Sequence, residues 1–184
     1  MSNSTHVAIR PYSEGDFSLL ERTLGDPRMM TYLGGPESAE ILQKRHMNFV
    51  ALSKDSSAGC VFVITLGPEK VSAGTVGYRE RDEDGQKAWE TGWSVLPEFQ
   101  GRGIATAATR LIADLVAGFG TRRYLYAFPS VDNNASNAIC RKVGFTLLRE
   151  SCYEYPPNSG IIMNCNVWQL DLAAVNQGST NKQS

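Results

Sequence analysis

A strand-like segment that runs into a glycine-rich turn and then a long helix-forming sequence constrains this chain most. Residues 90–106 read Glu-Thr-Gly-Trp-Ser-Val-Leu-Pro-Glu-Phe-Gln-Gly-Arg-Gly-Ile-Ala-Thr. The first N–H groups of a helix have no partner inside it, and the helix dipole favours negative charge there. Because Gly101 and Gly103 lack a Cβ, a phosphate can approach the main chain closely. The segment therefore predicts a strand–turn–helix unit that binds a phosphate-bearing ligand.

Size, composition and charge indicate one ordinary globular domain. The chain has 184 residues, of which 42% are hydrophobic and 20% charged, enough for a sizeable core. Its formal net charge of −1 argues against a broad nucleic-acid surface. The sequence has no apolar run of membrane-spanning length, and its first residues do not resemble a signal peptide. We expect a cytoplasmic protein without nucleic-acid or membrane partners.

The four cysteines do not indicate a metal site. They stand at Cys60, Cys140, Cys152 and Cys165, with no Cys-x-x-Cys spacing and no histidine cluster nearby. We therefore expect reduced thiols and no bound metal.

The order of strand-like and helix-like patterns predicts a mixed sheet with helices packed on it. Strands are expected at about 6–11, 60–66, 73–81, 87–96, 123–128, 145–155 and 161–172. Helices are expected from Ser13 to about Leu24, from Ser38 past Val50, from the glycine turn to about Gly118, and from an Asp132 cap to Gly144. Turns are expected at 82–85 and 156–160. We expect one domain over residues 1–173 and a disordered tail over 174–184.

Two motifs in order along the chain carry a resemblance to a known family. They are Gln100-Gly101-Arg102-Gly103-Ile104-Ala105, preceded by Val95-x-Pro97, and Asn133-Asn134-Ala135-Ser136, followed by Gly144-Phe145. Over about residues 6–172 the chain resembles the GNAT acyl-CoA-dependent N-acetyltransferases, in particular the branch related to ribosomal-protein N-terminal acetyltransferases. The family's phosphate-loop pattern, Gln/Arg-x-x-Gly-x-Gly/Ala, fits Gln100, Gly103 and Ala105. Its later Asn-x-x-Ser and Gly-Phe pattern fits the second motif.

The resemblance implies where CoA binds. The turn that binds the pyrophosphate comprises Gln100, Gly101, Arg102, Gly103, Ile104, Ala105 and Thr106. Backbone groups of Trp93, Ser94 and Val95 are expected to bind the pantetheine amides like an added strand, at a place where family members open the sheet with a bulge. Asn133 is expected to hydrogen-bond the pantetheine arm. Alternatives remain: the turn is a plain connector, Asn133 is only a cap, and Arg102 is a solvated charge rather than a phosphate partner.

Acetyl transfer to an amine also requires a base and an oxyanion donor. An alkylammonium has a pKa near ~10 and is not a nucleophile until it loses a proton. Glu90 is the candidate base, because strand alternation places Glu90, Gly92 and Ser94 on one face of the sheet. The alternative is a cross-strand ion pair of Glu90 with Arg79 or Arg81. The N–H of Val95 is the candidate oxyanion donor.

The position of the acid departs from the family pattern. Many relatives have Tyr seven residues after the motif's Asn, where this chain has Cys140. A thiol with a pKa of about 8.5 can donate a proton, although a buried cysteine is usually a small core residue. Ser136 or a water molecule is the other candidate acid. Some relatives also have a Glu base five residues before the Asn, where this chain has Phe128.

The acceptor is expected between the early helices and the strands near residues 150–163. Candidate wall residues are His46, Tyr32, Trp89, Tyr153 and Tyr155, each with core packing or a surface position as the alternative. The acidic turn at 82–84 either attracts a cationic acceptor or is a solvated hairpin tip.

These expectations combine into one fold and one function. We predict a GNAT-like α/β fold, with a mixed, mostly antiparallel sheet of about seven strands and about four flanking helices. It transfers an acetyl group directly from acetyl-CoA to a primary amine, either a peptide N-terminus or a small molecule, in a ternary complex, as a monomer or homodimer. The alternative is a non-catalytic acyl-CoA-binding or sensing module.

Overall fold

One seven-stranded sheet runs through the computed structural model, which describes residues 6–154 and 160–175. Its order is β1-β2-β3-β4-β5-β7-β6, and within the described residues only the β4–β5 pair is parallel. The strands are β1 (Val7–Pro11), β2 (Gly59–Leu66), β3 (Val71–Glu83), β4 (Gln86–Val95), β5 (Tyr124–Ala127), β6 (Thr146–Glu154) and β7 (Ile162–Asp171). The α-helices are α1 (Phe17–Leu24), α2 (Ala39–Lys54), α3 (Ile104–Phe119) and α4 (Asn134–Val143). The predicted fold class is confirmed.

The first predicted helix begins as a 3-10 turn. Glu14–Asp16 forms this turn, and α1 follows directly. The carboxylate of Asp16 accepts hydrogen bonds from the N–H and hydroxyl of Ser13, at 2.8 and 2.7 Å, and from the Arg10 guanidinium. These bonds tie the end of β1 to the start of α1, because Arg10 belongs to the strand and Asp16 precedes the helix.

Local chemistry corrects two predicted boundaries. The β3–β4 hairpin turns on Asp84 and Gly85 alone, which have φ of 53° and 77°, the left-handed pair of a two-residue hairpin. The predicted four-residue turn was therefore too long. Asn133, not Asp132, caps α4, since its Oδ1 accepts a hydrogen bond from the N–H of Ser136 at 3.0 Å.

Helices cover the two faces of the sheet unequally. On one face α3 and α4 pack against Val76, Trp89 and Leu125 in the largest core cluster. On the other face α1 and α2 pack against Val63 and Leu96. A third cluster on that second face, at Ala88, Tyr126 and Val167, lies farther back along β4. Between the second and third clusters no helix of the described residues packs over β4, and Gly92 is exposed there.

That gap exposes the predicted face of β4. Glu90 and Ser94 are half-buried and Gly92 is exposed, whereas Trp89 and Thr91 on the opposite face are buried. The predicted alternation along the strand is confirmed.

The end of the chain lies partly outside the described residues. The predicted turn at 156–160 falls there except for Gly160, as do Tyr155 and the tail from residue 176. Residues 174–175, predicted to begin the tail, belong to a helical turn at 172–175. In the described parts of the chain, no helix combines the length and apolarity that crossing a membrane requires.

Candidate active site

The sheet opens between its two central strands. β4 and β5 pair at only two positions, Trp89 with Leu125 and Glu90 with Tyr126, although β4 continues to Val95. On its other side β4 stays paired with β3 along its whole length and without a register shift. The opening therefore forms where β5 leaves β4, and the bulge that the resemblance implies is not seen in the β3–β4 ladder.

The alternation of hydrogen bonds decides which backbone groups face this opening. The N–H of Leu96 donates to the carbonyl of Ala73 on the β3 side at 2.9 Å. In an antiparallel pair the backbone N–H and C=O of every second residue face the partner strand. The backbone groups of Ser94 therefore also face β3, where the register partner of Ser94 is Thr75. Trp93 and Val95 therefore face the opening. The expectation that backbone groups of Ser94 do so as well is wrong.

The glycine turn leaves the start of α3 open. Gly101 and Gly103 have φ of 74° and 76°, left-handed values that favour glycine. Gly103 is the N-cap and has no side chain to cap the helix. The first intrahelical bond is donated by the N–H of Ala107, so the preceding N–H groups have no partner within α3. A Cβ built at either glycine meets no described atom within 4 Å, so the space above the turn is open.

The other turn residues differ in what they present. Ile104 and Thr106 are buried and Ala105 is half-buried, so these three offer mainly their N–H groups. The exposed Arg102 lies beside Phe99, with its guanidinium carbon 5.8 Å from the ring centroid. The Gln100 side chain donates from Nε2 to the Val95 carbonyl at 2.8 Å, which ties the turn to the end of β4.

The second motif supplies a cap and a buried hub. Asn133 caps α4 through Oδ1, and within the described residues its Nδ2 has no hydrogen-bond partner. Asn137, which is 3% exposed, donates to the carbonyls of Ser130 and Asn133 at 2.9 Å. Its Oδ1 accepts from Trp168 Nε1 and from Asn166, both at 2.8 Å. Asn137 thus fastens the loop before α4 to β7. Sequence reasoning missed it, although an asparagine one turn after Asn133 was a visible signal.

Glu90 forms the ion pairs that the sequence left as its alternative role. Its Oε1 is 2.5 Å from Arg79, its cross-strand neighbour, and its Oε2 is 3.4 Å from Arg81. The Glu90 side chain is 15% exposed. Both carboxylate oxygens therefore face guanidinium groups at the point where β4 and β5 separate.

A second buried carboxylate continues this network. Glu83 accepts hydrogen bonds from Arg81 at 2.7 Å, from Arg149 at 2.8 Å and from the Tyr153 hydroxyl at 2.9 Å. Arg149 also pairs with Asp84 at 2.9 Å. The predicted acidic turn thus has two of its three carboxylates paired with arginines. This arrangement argues against the hypothesis that the turn attracts a cationic acceptor.

The chain matches one family over most of its length. The family described as acetyltransferase (GNAT) domain matches residues 6–146. This protein belongs to the GNAT acetyltransferase family. No curated protein matches it by sequence.

Solved structures show the GNAT fold over nearly the whole chain. A spermidine N-acetyltransferase from Vibrio cholerae, in complex with CoA and spermine, has a TM-score of 0.74 at 17% identity, covering 91% of this chain and 96% of that one. An acetyltransferase from Salmonella typhimurium that modifies the N-terminal serine of ribosomal protein L7/L12 has a TM-score of 0.71 at 22% identity, covering 90% and 94%. An aminoglycoside acetyltransferase in complex with coenzyme A has a TM-score of 0.73 at 15% identity, covering 94% and 98%.

Cys140 occupies the position of the acid in many GNAT enzymes, but it lies in the core. Its side chain is fully buried, and this burial raises the pKa of the thiol to about 12. A thiol with so high a pKa is a poor proton donor near neutral pH. The structure therefore favours the packing role for Cys140. Ser136, on the first turn of α4, is half-buried and remains a candidate.

Three of the five candidate wall residues lie in different environments. Tyr153 lies on the uncovered face, where Arg81 stacks 5.0 Å from its ring centroid and 4.3 Å from that of Phe128. Trp89 is buried on the opposite face, within the α3 core, and does not line the acceptor side. His46, on α2, shares a 2.8 Å hydrogen bond with the Tyr12 hydroxyl and packs against Phe17, which favours its structural role.

The other two candidate wall residues are Tyr32 and Tyr155. Tyr32 is 42% exposed in the loop between α1 and α2, and Tyr155 is outside the described residues. Over residues 6–154 and 160–175, no group of three or more His, Cys, Asp or Glu side chains is arranged to hold a metal.

Proposed function

We propose that this GNAT protein transfers an acetyl group from acetyl-CoA to a primary amine by direct attack in a ternary complex. The observation that carries the proposal is the opening between β4 and β5, with the uncapped start of α3 at its end. Such an opening gives an extended ligand free backbone partners, and the helix start gives its phosphates N–H donors. Acetyl-CoA has both parts, a pantetheine arm with amide groups and a pyrophosphate.

The cofactor contacts follow from this geometry. The pyrophosphate binds the N–H groups of the turn from Gly101 through Arg102, Gly103, Ile104 and Ala105 to Thr106, and the Arg102 guanidinium pairs with a phosphate oxygen. The N–H of Gln100 donates to the Pro97 carbonyl at 3.2 Å, so Gln100 shapes the turn instead. Trp93 bonds the pantetheine amides through its N–H and carbonyl. The Val95 carbonyl accepts from an amide of the same arm with the lone pair that Gln100 leaves free. Asn133 donates its free Nδ2–H to the same arm while its Oδ1 continues to cap α4.

The chemistry requires three groups beyond the cofactor contacts. The neutral amine attacks the thioester carbon, and the resulting oxyanion accepts a hydrogen bond from the N–H of Val95. The carbon–sulfur bond breaks as the carbonyl reforms, and the departing thiolate accepts a hydrogen bond from the Ser136 hydroxyl. It takes a proton from water, and the hydroxide left behind is neutralised by the proton that Glu90 returns to solvent. The ammonium proton passes to Glu90.

The distance along β4 constrains how Glu90 acts. Glu90 and Val95 are five positions apart along β4, about 17 Å of extended strand, which exceeds the reach of a glutamate side chain. Gly92 lies between them and is exposed, and a Cβ there would meet no described atom within 4 Å. Water molecules over Gly92 therefore relay the proton to the carboxylate.

The acceptor is proposed here only as a chemical class. The proteins of similar structure include acetyltransferases for spermidine, for aminoglycosides and for a ribosomal-protein N-terminus, all of which carry amines. We propose an amine acceptor of either the peptide or the small-molecule type. A cytoplasmic location and a monomer or homodimer remain predictions.

Amine-dependent release of CoA thiol tests the proposal. We expect turnover with at least one member of a panel of peptides and small amines. Glu90→Gln is expected to lower kcat at least tenfold and to leave acetyl-CoA affinity within twofold, because Glu90 does not contact the cofactor. Glu69→Gln, on the exposed β2–β3 turn, is the matched control. An undiminished rate in Glu90→Gln would remove Glu90 as the base.

A non-catalytic acyl-CoA sensor is the second candidate, and one observation favours it. Both oxygens of Glu90 are already engaged by arginines, and the acid position is a buried cysteine. A sensor binds acetyl-CoA tightly in calorimetry yet releases no CoA with any amine. Acceptor-dependent turnover excludes it.

A further inference from the structure

The surface of β3 and β4 in front of the opening exposes guanidinium groups and buries carboxylates. The side chains of Arg79 and Arg149 are 55% and 40% exposed. Their partners Glu90 and Glu83 are 15% and 5% exposed. We call this surface, formed by Arg79, Arg81, Glu83, Glu90 and Arg149, the arginine groove. In both of these pairs the positive member is the more exposed one.

Hydrogen-bonding capacity in the arginine groove points the same way. Glu83 already accepts from Arg81, Arg149 and Tyr153, so its carboxylate has little acceptor capacity left. Each guanidinium carries five N–H donors, and Arg79 uses one of them on Glu90. The groove therefore offers spare donors and few spare acceptors.

Among the neighbouring described side chains, Asp84 adds a negative charge, whereas Tyr153 and Phe128 do not. The phenol of Tyr153 has its pKa raised by burial and by its hydrogen bond to Glu83, so it stays neutral. Phe128 lies under Arg81 and is apolar. Asp84 at the hairpin tip is exposed, but it pairs with Arg149.

We propose that the acceptor is an anionic amine, whose carboxylate or phosphate pairs with Arg79 and, in a longer acceptor, also with Arg149. This inference rests on the proposed function, since it names the substrate class of the same site. Arginine pairs bidentately with such groups, and the exposed edges of both guanidiniums are available for it. Arg149 is held by Glu83, which lies four residues from Arg79 along β3, a distance of about 13 Å. This spacing suits an extended acceptor with two acidic groups.

An acceptor of this kind also frees the base. An anion bound to the exposed edge of Arg79 shares that guanidinium with Glu90, which weakens the ion pair at Oε1 and makes Glu90 a stronger base. A polyamine has the opposite effect, because its ammonium groups meet the exposed arginines and find the carboxylates engaged. Binding of an anionic acceptor therefore promotes the transfer of a proton from the acceptor's ammonium group to Glu90.

Three amidated tetrapeptides that differ only at their second and third residues test the proposal. The probes are Ser-Asp-Glu-Ala, Ser-Asn-Gln-Ala and Ser-Lys-Lys-Ala, assayed by acceptor-dependent CoA release. We expect kcat/KM for the acidic peptide to exceed that for the neutral one at least tenfold, with the basic peptide lowest. Arg79→Gln and Arg149→Gln are expected to reduce the acidic-to-neutral ratio at least threefold. Arg123→Gln, an exposed arginine paired with Asp171, is the matched control and should leave the ratio unchanged.

Binding separates this inference from the proposed function. The same peptides are titrated by calorimetry into enzyme saturated with CoA, where no turnover occurs. Tighter binding of the acidic peptide that weakens in Arg79→Gln supports the anionic site even if no peptide is acetylated. Equal, undetectable or cation-favouring binding overturns it, even if amines are acetylated. Absence of turnover with every amine overturns only the proposed function.

Discussion

At the scale of single residues, buried polar side chains join segments that are distant in the sequence. Asn137 satisfies both of its donors and places two donors on its oxygen, linking the loop before α4 to Trp168 on β7. Asp16 plays a similar part at the other end of the chain, between β1 and α1. Neither side chain contacts the proposed cofactor, and each holds a backbone segment in place.

Asp16 predicts a pH dependence of stability. Burial alone raises the pKa of Asp16, but hydrogen bonds from Arg10 and Ser13 outweigh burial and set the pKa below its usual value. A carboxyl group with a lowered folded-state pKa contributes stability above its unfolded pKa of about 4, and this contribution is lost as the pH falls through the folded pKa. Asp16→Asn is therefore expected to lower the free energy of unfolding at pH 7 and to approach wild type below about pH 4.

Urea unfolding across this pH range measures the effect. The matched control is Asp114→Asn, an exposed position on α3. A deficit in Asp16→Asn that stays constant from pH 7 to pH 3 would contradict the assigned ion pair.

At the scale of elements, the β4–turn–α3 unit performs two tasks at once. Its strand supplies an open backbone edge, and its turn supplies uncapped N–H groups at the end of that edge. The side chain of Gln100 connects the two parts through the Val95 carbonyl. The left-handed glycines make the turn possible and leave it open above.

Gly103 provides a matched comparison within α3. Gly103→Val is expected to abolish detectable CoA binding, because its side chain enters the open space above the turn. The left-handed backbone also costs about 1–2 kcal/mol of stability. Gly120→Val is the control, since Gly120 has φ of 65° at the other end of the helix and is equally open.

Calorimetry with CoA and urea unfolding together decide the outcome. Similar losses of stability are expected in both variants, with loss of affinity in Gly103→Val alone. Wild-type affinity in Gly103→Val, or equal loss of affinity in Gly120→Val, would sink the assignment of the turn.

The sequence predicted these elements well because their signals are local. The glycines mark the turn, Gly144 ends α4, and alternation orders the faces of β4. The opening could not be predicted, because it depends on where β5 stops pairing with β4, and β5 also pairs with β7. The arginine groove was equally hidden, since Glu83 and Arg149 are 66 residues apart in the chain. Only the Arg79 and Arg81 alternatives for Glu90 were visible from neighbouring strands.

At the scale of the whole molecule, helices cover only part of one face of the sheet. α1 and α2 pack over one part, whereas around Tyr126 and Val167 the side chains of the strands pack against one another. The uncovered part of β4 between them adjoins both the opening and the arginine groove. The proposed donor site and the proposed acceptor site thus adjoin the same strand. This arrangement suits direct transfer between two bound substrates.

A single-turnover experiment followed by intact-mass spectrometry tests this account most directly. The enzyme is mixed with one equivalent of acetyl-CoA, sampled, and then given the acceptor that the panel identifies. We predict no change in the protein's mass before the acceptor is added, and afterwards the appearance of acetylated amine and free CoA at equal rates. An acetylated protein that forms before the amine is added, or an amine that stays unmodified while acetyl-CoA remains bound, would contradict direct transfer.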